Sequence, residues 1–95
     1  MGPIWTISMR NDKNHCRVCG YLLEDPPWGD TGTNPSFEIC PCCGVEFGYE
    51  DCTLDAIRAY RKKWLDAGAE WFDADERPDN WNVEAQIGLI PVRYK

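Results

Sequence analysis

The fold turns on two short runs, Cys16-Arg17-Val18-Cys19-Gly20 and Cys40-Pro41-Cys42-Cys43-Gly44. Each contains a Cys-x-x-Cys-Gly turn. A two-residue spacing lets one tight turn present two thiolates, and two such turns facing each other build a tetrahedral cage for a metal ion. The glycine after each second cysteine lets the chain fold back, so that amides can face the sulfurs and offset their charge. The predicted ligands are therefore Cys16, Cys19, Cys40 and Cys43. Cys42 lies inside the second turn and is expected to point away, because adjacent residues of a tight turn cannot both enter one tetrahedral site. Cys52 is expected to be a small half-buried residue, and His15, beside Cys16, a surface side chain.

Between the turns, residues 24–36 read as a loop, rich in Pro, Gly and side chains that favour turns. On either side of the cysteines the apolar residues alternate. Tyr21-Leu22-Leu23, Phe37-Glu38-Ile39 and the run 45–49 suggest short strands, as do Trp5, Ile7 and Met9 nearer the N-terminus. After the second turn the period changes. Thr53 is suited to cap a helix, and Leu54, Ile57, Tyr60, Trp64 and Ala67 recur at helical spacing up to a stop at Gly68. Arg58, Arg61, Lys62 and Lys63 are read as its solvated side. A second, shorter helix is expected from Asn82 to Gly88. Ile90, Val92 and Tyr94 alternate as a terminal strand that Pro91 would confine to a sheet edge. The expected fold is thus a small α+β domain stapled by metal: short antiparallel strands like those of a zinc ribbon, one main helix and a short second one. Residues 1–95 are read as one domain, with the metal-binding region at 16–52 and a helical, aromatic-rich part at 53–95.

The composition fits a stapled fold. A chain of 95 residues with seven Pro and eight Gly has little regular structure with which to bury a core, although five Trp, four Tyr and three Phe supply apolar bulk. No apolar run reaches membrane-spanning length, and the first residues lack the pattern of a secretory signal. Six cysteines in such a chain are expected to be reduced thiols in the cytoplasm rather than disulfides.

Several chemistries lack their residues. There is no phosphate-binding glycine loop, no His-Glu-x-x-His motif, and one histidine in the whole chain. Four thiolates close the metal's shell, whereas a catalytic zinc keeps an open position. The expected cofactor is structural Zn²⁺, with iron the alternative, since sulfur ligation alone does not choose between them. The formal charge of −6 opposes binding to nucleic acid and favours a basic protein partner. The acidic groups expected to meet it lie in loop 24–36 and at Glu46, Glu50, Asp51 and Asp55.

Two resemblances bear on this reading. Cys16 to Tyr21 and Cys40 to Gly44 resemble rubredoxin knuckles, which implies an iron electron-transfer protein as one alternative. A zinc ribbon that binds nucleic acid is another. More of the chain resembles the bacterial cysteine-rich CPCC family of small zinc-ribbon-like proteins. That likeness runs from Cys16 to Gln86 through Cys40-Pro41-Cys42-Cys43-Gly44, Phe47-Gly48-Tyr49-Glu50-Asp51, Arg61-Lys62-Lys63-Trp64, Gly68, Trp71-Phe72, Arg77-Pro78 and Trp81. It implies a cytosolic, non-enzymatic binding protein, with an immunity protein masking a cognate toxin as one form.

Overall fold

A computed structural model describes residues 12–95. The stretch around Trp5, Ile7 and Met9 lies outside them. Among the described residues there are two α-helices, α1 (Leu54–Asp66) and α2 (Val83–Ile87). Short 3-10 turns occupy Asp12–Asn14, Ala74–Glu76 and Val92–Tyr94.

The expected strands are the main correction. Among the described residues no β-strand forms, so the fold is not a zinc-ribbon sheet. Extended pairing is limited to two isolated antiparallel bridges, His15 with Leu22 and Ile39 with Glu46. The reason lies beside each bridge. After Leu22 the pairing extends to one further bond, from the Leu23 amide to the Asn14 oxygen at 2.9 Å, and Pro26-Pro27 follows, where a ladder cannot be continued. Ahead of Ile39, Phe37 takes a left-handed conformation with φ 63°, which breaks the pleat that strand alternation requires. Past Glu46 the chain turns at once, with the Tyr49 amide donating to the Glu46 oxygen at 3.1 Å. The terminal strand is also absent. Pro91 instead opens the 3-10 turn Val92–Tyr94, a start that its fixed φ favours.

The helices form for the local reasons read in the sequence. The Thr53 hydroxyl accepts from the Ala56 amide at 3.1 Å and the Asn82 side chain from the Ala85 amide at 2.8 Å, capping α1 and α2. Helix α1 ends one residue earlier than Ala67, which serves as its C-cap, and Gly68 then takes φ 102°. Its buried stripe is narrower than the spacing suggested. Ile57 and Trp64 are buried and Tyr60 half-buried, but Leu54 and Ala67 are exposed.

The core itself is unusual in content. Cys16, Cys19, Cys40, Cys42 and Cys43 are buried together with Val18, Val45, Phe47 and Ile57. Thiols thus occupy the centre that hydrocarbon would fill in a larger domain. Outside it, Tyr21, Trp71, Trp81 and Trp64 form a chain of ring contacts with centroids 5.5, 5.3 and 6.4 Å apart. Loop 24–36 is pinned rather than loose. Trp28 donates to Asp51 at 2.9 Å, and the Arg17 guanidinium lies 4.1 Å from the centre of the Trp28 ring.

Candidate metal centre

The two knuckles are near copies of one another. The Cys16 amide donates to the Tyr21 oxygen at 2.8 Å, and the Cys40 amide to the Val45 oxygen at 2.9 Å. Gly20 and Gly44 each return a hydrogen bond at 2.9 Å to the carbonyl of the first cysteine, Cys16 and Cys40 respectively. Both glycines take positive φ, 87° and 82°, a conformation that costs an L-residue about 1–2 kcal/mol. Their amides therefore close the turns on carbonyl oxygen. The Cys43 backbone amide contributes to lowering the Cys40 thiol.

This folding-back brings the Sγ atoms of Cys16, Cys19, Cys40 and Cys43 within 4.8 Å of one another, all in buried positions. The Cys16–Cys43 and Cys19–Cys40 sulfurs are 3.7 Å apart, and all the cysteines are free thiols. A regular tetrahedron with metal–sulfur bonds of about 2.3 Å has sulfur–sulfur edges of about 3.8 Å. The donor set and its spacing therefore fit one tetrahedral metal ion, and these four cysteines are placed to bind it.

The electrostatics point the same way. Burial pushes the Cys19 and Cys43 thiols well above their ordinary range. Hydrogen bonds with neighbouring thiols add to it at Cys19; at Cys43 those with Cys16 and Cys40 add while that with Cys19 opposes. Burial acts to raise Cys40 too, but hydrogen bonds from Cys16, Cys19 and Cys43 outweigh it and hold that thiol far below the usual range. Thiolates packed this closely repel one another, and a cation at the centre of the cage relieves that repulsion.

Cys42 stays out of this group, as its place in the turn requires. Its sulfur accepts from Gln86 Nε2 at 3.2 Å, in the core. Cys52 departs from expectation, being exposed rather than half-buried, with its thiol donating to the Gly48 oxygen at 3.2 Å. His15 is half-buried, its Nδ1 2.8 Å from the Gly20 oxygen. Asp51, expected to face a partner, is fully buried. It accepts from the Gly48 amide at 2.7 Å and from Trp28. Glu50, half-buried, accepts from the Glu46 amide at 3.1 Å, while Asp55 stays exposed.

The residues that sequence reasoning missed are those that satisfy the knuckle carbonyls. In the first knuckle, Arg61 donates to the oxygens of Arg17 at 2.9 Å and Val18 at 2.7 Å, and Gln86 to that of Cys19 at 3.1 Å. In the second, the amides of Asp73 and Phe72 donate to Pro41 and Cys42, each at 2.9 Å, and the Tyr60 hydroxyl to Cys43 at 3.1 Å. With the two glycine amides, every carbonyl of both Cys-x-x-Cys turns has a donor, as buried backbone requires. For Arg61 the signal was available. It lies four residues after Ile57 and three before Trp64, so helical geometry puts it on the buried stripe. Burial lowers its pKa from the usual value, against the pull of the nearby thiolates.

Comparison with known proteins assigns this site no role. No family model matches the chain, and no solved structure matches it. The uncharacterized protein YozI of Bacillus subtilis is 32% identical over a region covering 67% of this chain and 66% of YozI. The uncharacterized protein YoaQ of the same organism is 38% identical over 56% of this chain and 58% of YoaQ. The chain thus spans less than two thirds of the length of either relative.

Proposed function

We propose that this chain is a non-catalytic interaction module, held in shape by one structural Zn²⁺ on Cys16, Cys19, Cys40 and Cys43, that meets a basic protein partner. The observation that carries the reading is the closure of the cage. Four buried sulfurs account for a tetrahedral shell, and the carbonyls around them are all taken by the protein's own donors. That leaves the cage neither an open coordination position nor an unpaired knuckle carbonyl for a substrate. The metal then stabilises the fold, because the free energy of binding it is folding free energy.

The partner is read from the surface. Glu24, Asp25, Asp30, Glu38 and Asp55 are exposed on a chain of net charge −6, which favours encounter with a cationic surface. Phe37, Ile39 and Tyr49 are exposed at 62, 46 and 73% beside Glu38 and Glu46, apolar anchors with an acidic margin. Phe37 also keeps its left-handed φ of 63°, a strain of about 1–3 kcal/mol that is common where a side chain is held for binding. A basic toxin held by an immunity protein, as the CPCC resemblance implies, is one instance of this chemistry.

The test is purification of the tagged chain from its native host, with metal analysis, an absorption spectrum and a salt titration on the same material. One zinc per chain, no visible absorption and a basic partner released by salt support the reading. A red iron protein supports the rubredoxin-like alternative, and steeply salt-dependent binding to DNA or RNA the nucleic-acid one; either overturns the proposal.

A further inference from the structure

We infer that the cavity between the first knuckle, loop 27–32 and the C-terminal turn is a binding site for a small oxyanion, a phosphate or a carboxylate group. Its volume is about 230 Å³, below the roughly 300 Å³ at which pockets for drug-sized ligands begin. Lys13, His15, Arg17 and Arg93 line it, against Asp12 and Asp30. In a chain with 16 acidic residues and 10 Lys or Arg, this cavity reverses the balance. Lys13 is partly offset by Asp30, 3.3 Å away. With Asp12 also in the lining the formal balance is +1, and the cationic groups offered to a ligand are Arg17 and Arg93.

Arg17 is built for the task. Its guanidinium carbon lies 4.1 Å from the centre of the Trp28 ring and 4.4 Å from that of Tyr94. One nitrogen, Nη2, donates to the Gly32 oxygen at 3.1 Å. Stacking and this single bond fix the plane of the group, and its remaining N–H edge is left for an acceptor in that plane, the geometry that carboxylate and phosphate oxygens match. Arg93, exposed at the margin, supplies a second charge.

The main chain holding these groups is fixed from behind. Arg61 donates to the oxygens of both Arg17 and Tyr94, at 2.9 and 2.6 Å, and so ties two walls of the cavity to α1. A site that is pre-formed loses less ordering entropy when it is filled. The inference is independent of the partner proposed above, since it rests on a cavity of opposite charge and would survive the failure of that reading.

The experiment is an NMR titration of the full, metal-loaded chain with inorganic phosphate in one arm and succinate in the other, against chloride at matched ionic strength. The Trp28 Nε1–H, the amides of 29–32 and the Arg17 Nε–H report on the cavity. The expected result is saturable shifts with a Kd below about 10 mM in at least one arm, and the arm that saturates identifies the source of the oxyanion. Arg93→Ala, at an exposed position, should weaken binding about tenfold; so should Arg17→Lys, which keeps the charge and loses the planar edge. Shifts that stay linear in both arms, or that chloride reproduces, overturn the inference. So does affinity unchanged in both variants.

Discussion

Replacing Gly20 by alanine separates two effects that the matching glycines hold in different proportion. Both Gly20 and Gly44 have left-handed φ, 87° and 82°, so a methyl group at either costs about 1–2 kcal/mol in backbone strain. Their surroundings differ. A Cβ on Gly20 would collide with the Gln86 carbonyl oxygen and lie 3.2 Å from the Ile90 amide nitrogen, both main chain. One on Gly44 would meet the Phe72 ring at 3.2 Å, and Phe72 is 64% exposed and free to yield. Forcing apart packed backbone adds about 1–3 kcal/mol at position 20. Displacing Gln86 also weakens its bonds to Cys19 and Cys42. Gly20→Ala should therefore lose about 3–5 kcal/mol in total and Gly44→Ala about 1–2. Urea unfolding at saturating metal, followed by tryptophan fluorescence, measures both midpoints at an unchanged slope. Equal losses in the two variants would refute the claim that the C-terminal segment packs against the first knuckle through its backbone.

Two further outcomes test the donors around the cage. Arg61→Met leaves the buried Val18 carbonyl without its partner and should cost about 2–4 kcal/mol by the same assay, with Arg61→Lys recovering less than half because an ammonium lacks the forked geometry; a change within about 0.5 kcal/mol would contradict it. For Tyr60, burial, together with the negative charge of Cys43, raises its hydroxyl from 10.0 to about 12. An unfolded chain gives up that proton first, so stability should fall as pH rises from 10 to 12, and the fall should be smaller in Tyr60→Phe. A Tyr60→Phe curve parallel to the parent over that range would sink the assignment.

Much of the cage was legible because its rule is local. A two-residue spacing and a glycine settle which sulfurs one turn can present, and the structure brings together Cys16, Cys19, Cys40 and Cys43 on those terms. Helix α1 was legible for a similar reason, since Thr53 and the recurrence of Ile57, Tyr60 and Trp64 act within a few turns. The strands were not. Alternation at 21–23, 37–39 and 45–49 records which residues could face a sheet, but a ladder also needs a partner of matching length. Pro26-Pro27, the left-handed Phe37 and the turn at Glu46 each withdraw that partner after a single bridge. Charge was misread where a polar side chain had backbone to serve. Arg61 and Asp51 looked like surface groups, yet one feeds carbonyls and the other binds an indole and an amide inside the fold. Composition counts such residues as solvent-facing because the groups they satisfy belong to distant segments.

That last point bears on how the metal and the rest of the chain depend on each other. A tight turn carrying two thiolates holds its carbonyls in a fixed array, and without donors those oxygens would face the core unpaired. Gly20 and Gly44 serve the first carbonyl of each turn; Arg61, Gln86, Tyr60 and the amides of Phe72 and Asp73 serve the rest, and these lie after the second knuckle. Conversely, a helix the length of α1 is marginal alone in water and gains its stability from what it packs against. Each half thus completes the other, and the cage is shaped before any ion enters it only to the extent that the C-terminal half is docked. Substitutions at Gln86 or Arg61, which touch no metal-binding sulfur, should therefore hasten loss of the ion to a chelator, whereas substitution at the exposed Lys62 should not. Equal release rates across the three would mean that the knuckles hold their shape unaided, and that the carbonyl donors add stability without shaping the site.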